Sequence, residues 1–150
     1  MKSPVSGFTT RPSHDTRPLL SEGETTKHLK FNADMLRLVE AGLKTQTRRP
    51  VLSKYGREVF PYGIPGDIVR VPGSDFKAKI ISVDVERLQE ISDSDVLSEG
   101  VPFPDDGEAY DREQIKTTFS RMWNSIYAAK GFGWDENPWV WVIEFEAVKP

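Results

Sequence analysis

Apolar positions in this chain fall into short periodic runs separated by proline- and glycine-bearing stretches. No period runs through residues 1–26, which hold Pro4, Pro12, Pro18, Gly7, Gly23 and many Ser and Thr. That segment reads as a flexible N-terminal arm, the alternative being an arm that orders on a partner, and residues 27–150 as one domain. Lys27 to Phe31 alternates weakly, as a first strand does. Asn32 is a good N-cap, and Met35, Leu38 and Val39, with Leu36 beside them, give a helix over 33–41 an apolar face. Gly42 is its expected left-handed stop. Pro50 disfavours helix at Arg49, so 44–50 runs extended. Residues 51–66 hold Gly56, Pro61, Gly63, Pro65 and Gly66 and read as a loop that ends in a type II turn.

The second half is more regular. Strands are expected over 67–71 and 76–88. On the longer one, Ile81, Val83, Val85 and Arg87 are the expected core face. Ser92 opens a short helix, with Asp95 three residues on, and Gly100 closes it. Residues 101–111 are acidic and contain Pro and Gly, as a loop does. The strongest helix pattern spans 112–129, where Phe119, Met122, Trp123, Ile126 and Tyr127 form one stripe. After Gly131-Phe132-Gly133, a last strand covers 138–147, with Trp139, Trp141, Ile143 and Phe145 on one face and Val140, Val142, Glu144 and Glu146 on the other. About five strands and two or three helices make an α+β domain. Long loops between strands capped by a helix suit a small, partly open β-barrel.

Composition narrows the chemistry. The chain has no cysteine and two histidines, His14 and His28. Disulfides, thiol nucleophiles and the common zinc sites are therefore excluded, and neither a metal nor another cofactor is expected. The first residues carry no apolar signal-peptide core and no long apolar run spans a membrane, so a cytoplasmic protein is the default. The net charge is −3, yet residues 1–60 carry 11 Lys/Arg against 6 Asp/Glu while residues 61–150 carry 9 against 17. A duplex-coating protein is basic over a whole face. A local basic site suits a nucleoside, a nucleotide, a short single-stranded RNA or a flipped base.

That local site is the polar run Lys44-Thr45-Gln46-Thr47-Arg48-Arg49. An amine near a hydroxyl, its pKa lowered by desolvation and neighbouring guanidiniums, takes the hydroxyl proton and makes a nucleophile. Lys44 and Thr47 are candidates for that pair, although residues three apart on a regular strand point to opposite faces. They meet only if the chain bends near Lys44. The plain alternative is a solvated edge strand blunted by charge. Glu99 sits in the last turn of its short helix, where a carboxylate is disfavoured by about 0.3–1 kcal/mol. A broken local rule hints at another task, such as holding Lys44 or orienting a water or leaving amine. Arg48, Arg49, Lys54 and Arg57 are candidate phosphate contacts against a reading of ordinary solvation. Trp134 and Trp139 are candidates for stacking on a base, with Trp134 the better placed, in a turn; the alternative is a lid on the core. Trp123 and Trp141 read as core.

The run Gly42-Leu43-Lys44-Thr45-Gln46-Thr47-Arg48-Arg49 after a helix resembles the signature of ASCH domains, in the PUA-like superfamily. Pro65-Gly66-Asp67-Ile68-Val69-Arg70-Val71 is similar to the start of that family's next strand. Val85 to Ile91 with Glu99-Gly100-Val101, and Trp139 to Phe145, resemble later elements. The stretch Gly131 to Trp139 is similar to versions in phage and prophage proteins. The resemblance covers roughly residues 28–147. It implies a PUA-like barrel with a cleft beside the first helix that binds RNA or nucleotides. One branch of the family hydrolyses N4-acetylcytidine with a Lys, a Thr and a Glu. Lys44, Thr47 and Glu99 match those three, which would make this chain an N-acylcytidine amidohydrolase. The long 51–66 and 101–111 loops, the arm and the Trp-rich turn depart from that branch. The alternatives are a non-catalytic RNA- or nucleotide-binding module and, third, a ribonuclease in which Lys44 and Arg48 stabilise a phosphorane.

Overall fold

The computed structural model describes residues 23–52, 61–101 and 112–150. Most of the expected arm, with Lys54, Arg57 and nearly all of the 101–111 loop, lies outside them. Five strands, β1 (Glu24–His28), β2 (Gln46–Pro50), β3 (Ile68–Arg70), β4 (Lys77–Arg87) and β5 (Trp139–Val148), form one sheet. Its order is β1-β3-β4-β5-β2. β1 runs parallel to β3, and the remaining pairs are antiparallel. Three α-helices, α1 (Ala33–Glu40), α2 (Asp93–Ser98) and α3 (Arg112–Tyr127), complete the described fold. The α+β class expected from the pattern stands. The sheet, however, is not closed into a barrel: β1 and β2 lie at its two ends.

The first strand departs from expectation. It starts at Glu24, inside the segment read as an arm, and stops at His28, while Leu29 to Phe31 lead into α1. The weak alternation there catches only the end of a strand, at Lys27 and His28. It marks two anchors, Leu29 and Phe31, buried beside α1. The helix itself follows its sequence signals. The Asn32 side chain accepts from the Met35 amide at 2.9 Å, and Gly42, at φ +76°, takes the left-handed conformation that ends it.

β5 is buried on both faces, which makes it the axis of the molecule. Ile143 and Phe145 pack under α1 with Leu29, Val39, Val69 and Ile80. Val140 and Val142, of opposite parity, pack under α2 and α3 with Leu88, Val96, Phe119 and Trp123. The single apolar face expected for β5 is therefore two half-faces, and Trp139, at its start, is half exposed. In β4 the expected core face is also corrected. Ala78 and Ile80 are fully buried, whereas Ile81 and Val85 are exposed. A β-bulge between Ile80 and Ser82 inserts one residue and shifts the inward parity from even to odd positions. Val83, facing Ile143, is then the last inward residue that the core covers.

The α3 stripe divides in the same way. Phe119 and Trp123 are buried, and the Trp123 indole donates to the Phe132 carbonyl at 2.7 Å. Met122, Ile126 and Tyr127 are only half-buried. They face a cleft, which the 3.6-residue period alone does not distinguish from core.

Candidate active site

The site grows from the end of α1. The Leu43 and Lys44 amides both donate to the Leu38 carbonyl, at 2.9 and 3.1 Å, and fold the chain back after Gly42. Thr45 then bridges two elements: its amide donates to the Ser98 carbonyl at 2.8 Å, and its carbonyl accepts from the Phe145 amide at 3.0 Å. Lys44 therefore sits before β2, in a bend, and escapes strand alternation. Within β2, Thr47 lies opposite Ile143 and Arg48 opposite Val142, so the two side chains leave on different faces.

Lys44, Thr47 and Glu99 line one cleft of about 400 Å³. They are 3%, 4% and 3% exposed, so all three are removed from bulk water before any ligand arrives. Glu99 caps the C-terminus of α2, and Gly100, at φ +90°, turns the chain away after it. The Lys44 ammonium donates to the Glu99 carboxylate Oε1 at 2.7 Å, the Glu99 carbonyl at 3.0 Å and the Gln46 carbonyl at 3.0 Å. The local rule broken by a carboxylate at a helix C-terminus is thus offset by a cation placed on both the carboxylate and the terminal carbonyl. Burial pushes the Lys44 amine below its ordinary pKa. Glu99 opposes that fall, and the charges of Arg49 and Arg48 add to it.

Arg48 is a second buried cation, with a fully buried side chain. Its Nε and Nη2 donate to Glu86 Oε2 at 3.0 and 2.8 Å, and Nη2 also meets Asp95 Oδ2 at 3.0 Å. Nη1 donates to Gln46 Oε1 at 2.6 Å and Glu99 Oε2 at 3.2 Å. All five N–H directions of the guanidinium are engaged. Arg48 holds Glu99 from one oxygen while Lys44 holds it from the other. The five charged groups form one chain: Lys44, Glu99, Arg48, Asp95 and Glu86.

Arg49 sits on the opposite face of β2 from Arg48 and lines the cleft. It lies over the Phe31 ring at 5.2 Å and the Tyr62 ring at 5.7 Å. It donates from Nη2 to the Lys30 carbonyl at 2.7 Å and from Nε to the Thr47 hydroxyl at 3.4 Å. The Thr47 hydroxyl is thus next to a cation, and its hydrogen bond among the described residues is to Arg49. Trp134, expected as a stacking surface, does not line this cleft. It packs edge-on against Phe119, with centroids 6.2 Å apart.

The cleft has further walls that the local sequence does not mark as part of a site. Phe31 and Met35 contribute from the start of α1, and Met122, Ile126, Tyr127 and Lys130 from α3 and the turn after it. Burial raises the pKa of the Tyr127 phenol above its ordinary value. Asp95 and Glu86, which complete the charge chain, are likewise unmarked in the local sequence. Asp95 stands on the face of α2 toward β2, and the register places Glu86 opposite Val140, on the Arg48 face. Only tertiary contact reveals either role. Among the described residues no cluster of His, Asp and Glu is placed to hold a metal, and no helix is long and apolar enough to cross a membrane.

No protein-family model matches this chain, and no curated protein matches it. Solved structures do share its fold. A protein from Enterococcus faecalis V583, of family DUF984, is 15% identical with a TM-score of 0.58, the match covering 83% of this chain and 81% of that one. An ASCH domain from Lactobacillus crispatus JV V101 is 22% identical with a TM-score of 0.50, covering 84% of this chain and 82% of that one. The chain has an ASCH-like α+β fold.

Proposed function

We propose that this PUA-like, ASCH-type domain binds an N4-acylated cytidine with its amide in the Lys44–Thr47–Glu99 cleft and hydrolyses that amide. The observation that carries the reading is that Glu99, from a distant part of the sequence, is buried with Lys44 and Thr47 around one cleft. Edge-strand charges that only blunt aggregation stay in solvent; these do not.

The chemistry follows from the groups present. Thr47 Oγ attacks the acyl carbonyl carbon, forming a C–O bond, and its proton passes to the neutral Lys44 amine. The amide C–N bond breaks, and Lys44 returns the proton to the leaving exocyclic nitrogen. Water then cleaves the acyl-threonine ester, releasing a carboxylic acid and restoring Thr47. Burial favours the neutral amine that the first step needs. Glu99, fixed by Arg48, sets the position of Lys44. Arg49, beside the Thr47 hydroxyl, is placed to stabilise negative charge on the carbonyl oxygen.

A second reading, a module that binds RNA or nucleotides without chemistry, is favoured by one observation. All three Lys44 protons point at protein acceptors, so Lys44 must release a proton and loosen one of these bonds before it acts as a base. The ribonuclease reading asks Arg48 to meet a phosphorane, and its donors are already engaged. The test is to incubate purified protein with a panel of acylated nucleosides and follow release of the free nucleoside. Release from acylcytidines supports the amidohydrolase. No release, together with salt-dependent binding of single-stranded RNA, supports the binding module.

A further inference from the structure

The hydrolytic residues occupy only part of the cleft. Beside the polar groups Lys30, Arg49 and Lys130, the lining includes an apolar wall that the sequence pattern had assigned to the core: Met35 from α1, and Met122 and Ile126 from α3. Apart from Met1, these are all the methionines in the chain. Neither is fully buried, although both belong to apolar helix faces.

The aromatic rings of the same cleft are committed elsewhere. Phe31 is packed against Phe145 at 5.6 Å and carries the Arg49 guanidinium at 5.2 Å. Tyr127 stacks on Trp123 at 4.2 Å and carries the Lys130 ammonium at 5.7 Å. The remaining apolar surface is therefore aliphatic and, at both methionines, conformationally adaptable. Unbranched thioether side chains mould themselves to flexible hydrocarbon. A flat base would instead use a ring face.

We infer that Met35, Met122 and Ile126 form an acyl subsite, and that the ligand of this cleft carries an unbranched acyl chain longer than acetyl. This rests on the proposed N-acylnucleoside reading and gives it a substrate class. The carbonyl sits at Thr47, the chain lies along the methionines, and the nucleoside points toward Arg49 and solvent. Length is read out by the area of wall that is covered. Each buried methylene tightens binding by about fourfold until the wall is filled.

The experiment is calorimetric titration of the full chain carrying Thr47→Ala with N4-acetyl-, N4-butyryl- and N4-hexanoylcytidine, alongside kcat/KM of the unsubstituted protein on the same series. The expected result is that affinity rises from acetyl to hexanoyl by at least tenfold. Met122→Ala should then lower the hexanoyl-to-acetyl ratio, and Met122→Leu should restore it, which separates loss of apolar surface from a disturbed helix. Equal affinity across the series, weaker binding of the longer chains, or no binding of any of them overturns the inference. The two proposals fail separately. Turnover of acetylcytidine with a flat affinity series removes the acyl subsite and keeps the hydrolase. A steep affinity series without turnover keeps the subsite and removes the hydrolase.

Discussion

Glu99→Gln tests the buried charge chain at its centre. The substitution keeps the shape and removes one negative charge from between two buried cations. In the native protein Lys44 Nζ and Arg48 Nη1 reach separate oxygens of this carboxylate, at 2.7 and 3.2 Å. An amide offers one acceptor and turns its NH2 group toward the other cation. Removing one partner of a buried pair costs about 3–5 kcal/mol. Arg48 keeps Glu86 and Asp95, so most of the loss falls on Lys44. Lys44 has an exit that Arg48 lacks, because it can release its proton. From an amine of ordinary pKa 10.5, release at pH 7 costs about 4.8 kcal/mol, which caps its share. At pH 9.5 the cap falls to about 1.4 kcal/mol. The direction is fixed by linkage. The folded protein holds the Lys44 proton less tightly than the unfolded chain does, so its contribution to stability rises with pH up to about 10.5. Urea unfolding followed by circular dichroism at pH 7 and pH 9.5 measures both effects. The Gln variant should lose about 3–5 kcal/mol at pH 7 and visibly less at pH 9.5. A loss below about 1 kcal/mol at pH 7, the level of an exposed pair, would show that Glu99 does not hold the two cations as buried partners. So would a deficit that grows with pH.

Trp123→Ala should lower stability by about 3–5 kcal/mol in the same assay, because it empties a site between Phe119 and Tyr127; an unchanged unfolding midpoint would place the core elsewhere. Gly100→Ala puts a Cβ at φ +90°, 3.1 Å from both Leu38 Cδ1 and Lys44 Cβ. It should cost about 1–2 kcal/mol for the left-handed backbone and lower turnover more than stability, since it pushes on Lys44. Lys44→Arg should abolish turnover of acylcytidines, because a guanidinium cannot give up its proton near neutral pH; activity retained within a few-fold would remove the general-base role.

Local chemistry made several elements legible. Asn32 and Ser92 accept from the amides three residues on, and Gly42 and Gly100 stop their helices with positive φ. Each signal acts within one turn, so the sequence carries it directly. The errors lie where the outcome depends on a partner. The β4 alternation is continuous in sequence, but a bulge at Ile81 changes its parity. The α3 period is one stripe, yet Phe119 and Trp123 are buried with the β5 residues Val140 and Val142 while the half-buried Met122 and Ile126 line the cleft. Lys44, Thr47 and Glu99 line one cleft. Arg48 and Arg49 look equivalent in sequence and are separated by strand alternation. Both border the cleft, but Arg48 is held in a cage of carboxylates while Arg49 lies over Phe31 and Tyr62. Nothing in the local sequence marks Glu86 or Asp95 as the wall of that cage.

The role proposed for Thr47 is that of nucleophile in amide hydrolysis. Its most direct test is release of cytidine from an N4-acylcytidine by the unsubstituted protein and by Thr47→Ala, with the urea midpoint of each recorded. Among the described residues the Thr47 hydroxyl takes part in one long hydrogen bond, 3.4 Å from Arg49 Nε, so its removal should leave the midpoint nearly unchanged while release stops. Release by the Ala variant at the rate of the unsubstituted protein would contradict the account, as would no release by either.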